Sequence, residues 1–160
     1  MEQQDASKDA VVTRIGRAVM LLHGGDREEA RNRFGALWAE IGEDGDALHR
    51  CTLAHYMADT QDDPWDELAW DLRALTAAEE LTGAAVAEHR DALAARSFLP
   101  SLHLALAADC LRLQRLEAAR LHLDRAWDTV GALGDDGYGG GIRAAIGRLE
   151  QRMRGSRAGE

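Results

Sequence analysis

The chain has 160 residues, enough for one domain with a buried core, and Ala, Leu, Arg and Glu dominate it. Val, Ile, Phe and Tyr are scarce and the prolines are Pro64 and Pro100, an imbalance that predicts an all-helical fold. The formal net charge is −9 and Lys8 is the single lysine, which argues against nucleic acid and anionic membrane surfaces as partners.

The N-terminus "MEQQDASKDA" is polar, carries no apolar h-region, and reads as a flexible lead-in over residues 1–10. No apolar run approaches a bilayer span, and Cys51 and Cys110 make neither a disulfide framework nor a CxxC pair. A reduced, cytoplasmic setting is the expectation from both.

From Val11 onward "VVTRIGRAVMLLH" sets Val11, Ile15, Ala18 and Leu22 on one helical stripe with Val19 beside it. Gly24 and Gly25 break the chain, and "REEARNRFGALWAEI" resumes a helical period with Ala30, Phe34, Leu37 and Ile41 on one face. Glu28 and Glu29 occupy the first turn, where the helix dipole favours negative charge. Residues 11–43 thus predict an antiparallel helix pair. A second pair spans 46–82: "ALHRCTLAHYMAD", a turn, and a helix opened by Asp63 as N-cap and Pro64 at its first position. Leu68, Leu72 and Leu75 form its expected buried stripe.

Val86, Arg90, Leu93 and Ala94 suggest a further short helix over 84–96 or an extension of the preceding one, and Pro100 is read as the start of a third pair over 99–133. That pair repeats the first. Ala119, Leu123 and Ala126 have the spacing of Ala30, Phe34 and Leu37. Ala107 precedes Ala119 as Ala18 precedes Ala30, and Trp127 follows as Trp38 does. "GDDGYGGG" reads as a flexible turn over 134–141. Ile142, Ile146, Leu149 and Met153 then make a one-sided helix over 142–154, suited to capping an open stack, before a tail over 155–160.

The two matching stretches, "GDREEARNRFGAL" and "LEAARLHLDRAW", each after a helix with a small residue at a fixed place, resemble tetratricopeptide repeats across roughly residues 11–133. The resemblance implies a short α-solenoid of about three helix pairs plus a C-terminal capping helix, in one domain over 11–154. It also implies a non-catalytic module that holds a protein or peptide in a groove lined by the first helix of each pair. Carried onto this chain, that groove would use Val12, Ile15, Val19, Leu22 and His23, then Arg50, Ala54 and Met57, then Ser101, Leu104, Ala108, Leu111 and Arg112. The family's carboxylate clamp is not matched, because Ala54 and Ala108 stand where asparagines would help. The set favours an apolar segment or a second copy of the chain, so a homodimer is one expected form.

The competing chemistry is sparse. Cys51, His55 and Asp59 fall on one helix stripe with ligand types that zinc accepts. Over ~12 Å of helix they would need ligands from elsewhere to hold one ion. The alternative function is therefore a small metal- or thiol-dependent sensor or enzyme around Cys51, His55 and Cys110. His23, His49, His89, His103 and His122 form no HExxH or HxH signature, and "HGGD" and "GYGGG" are not phosphate loops. No cofactor is expected. Of the tryptophans, Trp38 and Trp127 read as spacers between helix pairs, and Trp65 as the better candidate for exposure.

Overall fold

The computed structural model describes the backbone of residues 2–83, 89–131, 133–134 and 137–158, with side chains from Ala10 onward except over 83–93 and beyond Gly155. Among the described residues the chain is entirely helical: α1 Glu2–His23, α2 Arg27–Ile41, α3 Ala47–Asp59, α4 Pro64–Gly83, α5 His89–Arg112, α6 Leu116–Val130 and α7 Gly137–Ala158. They fall into two compact units, Met1–Ala77 and Ala78–Glu160.

In the first unit α1 starts at Glu2, so 2–10 are helical and not a flexible lead-in. Glu, Gln, Ala, Ser and Lys without a glycine or proline give the helix no reason to stop. Ile15, Ala18, Ala30, Phe34, Leu37, Leu53 and Met57 form the core, with Trp38, Tyr56 and Trp70 packed against it. Ala18 and Ala30 are wholly buried, and their short side chains let α1 and α2 approach closely. Between them Gly24 N donates to Met20 O (2.9 Å), Gly25 N to Leu22 O (3.2 Å) and Asp26 N to Leu21 O (2.9 Å). This closure requires a left-handed residue, which Gly25 supplies at φ +92°. The Asp26 side chain then caps α2 by accepting from Glu29 N. From α2, Arg27 donates to the carbonyls of Asp59 (3.3 Å) and Gln61 (2.6 Å) and pairs with Asp62. The end of α3 is thereby tied to the start of α2.

The stripe expected on α4 is corrected. Asp71, Ala74, Leu75, Ala77 and Ala78 are the buried positions, so Leu75 is buried as expected, whereas Leu68 is half-buried and Leu72 is 44% exposed. Both stripes have helical spacing. The observed one puts small alanines where neighbours are closest and turns the bulkier Leu72 outward. Asp71 joins the buried side with the His55 imidazole at 3.8 Å from its Oδ1.

In the second unit α5 runs unbroken through Pro100, which is inside the helix and buried. The expected break there is not found, and from His89 onward the stretch expected as a separate helix is part of α5, while 84–88 lie outside the described residues. Val86 lies outside the described residues, as do the side chains of Arg90 and Leu93. A proline inside a helix removes one backbone donor without ending the helix where packing on its other residues holds it. Leu102, Leu106 and Ala107 of α5 and Ala119, Leu123, Ala126 and Val130 of α6 supply the core. Ile146, Leu149 and Met153 of α7 are buried as the one-sided pattern predicts. α7 is longer than expected, from Gly137 to Ala158, so 137–141 and 155–158 are helix and not turn or tail. Its start needs glycine: a Cβ on Gly139 would lie 2.1 Å from the Gly134 carbonyl oxygen. Arg143 donates to the carbonyls of Val130 (3.3 Å), Leu133 (3.2 Å) and Gly134 (3.1 Å), satisfying acceptors left open at the end of α6.

Candidate functional site

Turning Leu72 outward creates a surface feature in the first unit. Trp38 of α2, Glu43, Arg50 of α3 and Ala69, Leu72, Arg73 and Thr76 of α4 line an open recess of about 350 Å³. Its wall is aromatic. Trp38 meets Trp70 edge-to-face, ring centroids 5.1 Å apart at 88°, and the Arg73 guanidinium carbon sits 4.3 Å from the Trp70 ring centroid. Such edge-to-face and cation–π contacts hold side chains in place with little loss of exposure. The Arg50 Nε donates to the Gly45 carbonyl at 2.8 Å, which anchors its side chain beside the recess. Two guanidiniums against one carboxylate give the rim a positive balance in a chain of net charge −9. Along α4, Trp65 (51% exposed), Ala69, Leu72 and Thr76 follow helical spacing on the solvent side, so the apolar strip continues past the recess.

Of the residues expected to line a groove, Arg50 is in this recess. Ile15, Ala54 and Met57 are not surface residues: they are 6%, 0% and 6% exposed and belong to the packed interior. Val19 and Leu22 pack against that core, while Val12 and His23 face solvent. In the second unit Leu104, Ala108 and Leu111 are half-buried, Arg112 leans on Asp109 at 3.5 Å, and Ser101 Oγ is hydrogen-bonded to Tyr138 Oη at 2.8 Å. The first helices of these pairs use much of their apolar surface on their own partners, although Val12 and Met20 of α1 stay 57% and 74% exposed; α4 adds Trp65 and Leu72 at 51% and 44%. Trp65 is exposed as expected. Trp38 reaches the next helix pair through Trp70, and Trp127 donates from Nε1 to Glu150 of α7 at 3.1 Å.

The residues of the metal and thiol readings differ in burial: Cys51 and Cys110 are buried, His55 is half-buried and Asp59 is exposed. Among the described residues no ligand group unites Cys51, His55 and Asp59. Burial pushes the Cys51 thiol up to about 12, so it is protonated and wholly enclosed at neutral pH. Cys110 is likewise buried, its thiol raised first by burial and then by the nearby Asp109 charge. His55 Nδ1 lies 3.8 Å from Asp71 Oδ1.

A second polar feature was not foreseen. His103 of α5 and His122 of α6 meet with Nδ1 atoms 3.2 Å apart and ring centroids 5.4 Å apart. Burial first, then His122 and Arg125, lowers His103 to about 4; burial and Arg125 lower His122 as well. Both rings are neutral at pH 7, and one Nδ1–H donates to the other Nδ1. Among the described residues no helix is long and apolar enough to cross a membrane. No protein-family model, curated protein or solved structure matches the chain.

Proposed function

We propose that the chain is a tetratricopeptide-like helical repeat protein that binds a segment of a protein partner, without catalysis, through the α2–α4 recess and the adjoining strip of α4. The recess carries this reading: exposed Leu72 and the Trp38 edge offer apolar contact, while Arg50 and Arg73 offer charge-assisted hydrogen bonds. The fitting occupant is a short segment with a large apolar side chain flanked by an acidic one. Its carboxylate would meet Arg50 or Arg73, and the net negative charge of the remaining surface would discourage segments with several acids. The repeat character is supported by the two helix pairs that share their buried alanines and turn geometry. The test is selection from a random peptide library. Apolar–acidic segments should be enriched by the native protein and lost with Leu72→Asp or Arg73→Glu while circular dichroism is unchanged. Equal enrichment by those variants would remove the recess from the reading.

A further inference from the structure

Where α1 passes α2 the first unit is open, and the corresponding place in the second unit is closed. Arg14, Arg17, Arg33, Ala36 and Leu37 surround a cavity of about 320 Å³. In the register that matches Ala30 to Ala119, Arg14 corresponds to His103 and Arg33 to His122. The two neutral imidazoles share a proton and meet at 3.2 Å. Two guanidiniums cannot do this, because both are permanent cations with donors only. They turn instead to carboxylates on the helix surface: Arg14 reaches Glu40 at 2.5 Å and Arg33 reaches Glu29 at 3.0 Å. Arg17 has no hydrogen bond or ion pair among the described residues. Among the described residues the lining holds three arginines and no acidic residue, over a floor of Ala36 and the buried Leu37.

We propose that this cleft binds the phosphoryl group of a phosphorylated ligand, with Arg17 as the principal contact and Arg14 and Arg33 on either side. A phosphate monoester brings three terminal oxygens and nearly two negative charges, one oxygen for each guanidinium. A carboxylate brings two oxygens and one charge, and leaves one guanidinium unmatched. Glu29 and Glu40 keep the flanking arginines extended, so less side-chain freedom is lost on binding. This site is separate from the recess on α2–α4 and does not depend on it.

The experiment is a titration of the full chain with inorganic phosphate at low ionic strength, read by calorimetry and phosphorus NMR, with acetate as the carboxylate comparison. Saturable one-site binding is expected, weakened at least about tenfold by Arg17→Gln or Arg33→Gln. It should be retained in part by Arg17→Lys and unchanged by Arg148→Gln on α7. A phosphoserine peptide of alanine and glycine, run beside its unphosphorylated form, separates the sources. Tighter binding than inorganic phosphate points to a phosphorylated protein segment, and equal binding to a small phosphorylated molecule. Non-saturating binding, acetate binding as tightly as phosphate, or equal losses in Arg17→Gln and Arg148→Gln would each overturn the proposal.

Discussion

In the turn between α1 and α2 the left-handed residue is Gly25, at φ +92°; in the turn between α5 and α6 the same place is held by Gln114, at φ +59°. The hydrogen bonds around them correspond one for one. Asp26 N to Leu21 O at 2.9 Å is matched by Arg115 N to Cys110 O at 2.8 Å, and Gly24 N to Met20 O by Leu113 N to Asp109 O. The next residue is Asp26, whose side chain caps α2, or Arg115, which gives α6 no side-chain cap. The backbone plan is common to both pairs and is met by different side chains. It follows that the plan is set by the buried contacts, Ala18 with Ala30 and Ala107 with Ala119, and that the turn residues adjust how well it is tolerated.

The core is where this comparison breaks hardest. Phe34 lies parallel to Tyr56 with ring centroids 6.0 Å apart and has no exposure, whereas the aliphatic Leu123 fills the corresponding buried place. Phe34→Ala should cost about 4 kcal/mol and Leu123→Ala about 3 kcal/mol in urea unfolding. Costs below about 1 kcal/mol for either would show that the shared stripe is not the framework.

The histidine pair gives the next effect. The folded-state pKa of His103 is near 4, below its ordinary value, so the unfolded chain takes up the proton first as pH falls. The stability from this pair is complete above about pH 6.5 and declines between about 6.5 and 4. A loss on the order of 2 kcal/mol is expected across that window. His103→Gln should flatten this part of the stability curve, and the Arg14/Arg33 position of the first pair should show no counterpart.

The turns should respond least, and with opposite signs. Gln114→Gly relieves a side chain held at positive φ, and Arg115→Asp adds the missing cap; each should stabilise by about 1 kcal/mol. Gly25→Ala puts a side chain where φ is positive and should destabilise by about 1 kcal/mol. Thermal unfolding of the three variants sorts them, and a stabilising Gly25→Ala would contradict the shared turn.

The helices and the repeated pair were legible because Ala18, Ala30, Phe34 and Leu37 recur as Ala107, Ala119, Leu123 and Ala126 with glutamate in the same first-turn place. Helix continuity through Pro100 was not, since local propensity argues for a break that tertiary packing overrides. The recess was illegible for a different reason. "LAWDLRALTAA" offers two stripes of equal period, one rich in leucine and one passing through Asp71, Ala74 and Ala78. Hydrophobicity favours the first; close packing of small residues and the His55–Asp71 approach select the second. Choosing the leucine stripe buries Leu72 and leaves no recess to find. Burial of Ile15, Ala54 and Met57 was hidden likewise, because an apolar residue on a first helix reads the same facing a groove or facing its partner helix.

Hydrogen exchange of the native chain, with and without a library-selected apolar–acidic peptide, tests the binding surface most directly. Slowed exchange should be confined to 38–50 and 64–76, with α1 unchanged. Protection centred on α1 or α5, or none at saturating peptide, would contradict an α2–α4 docking site.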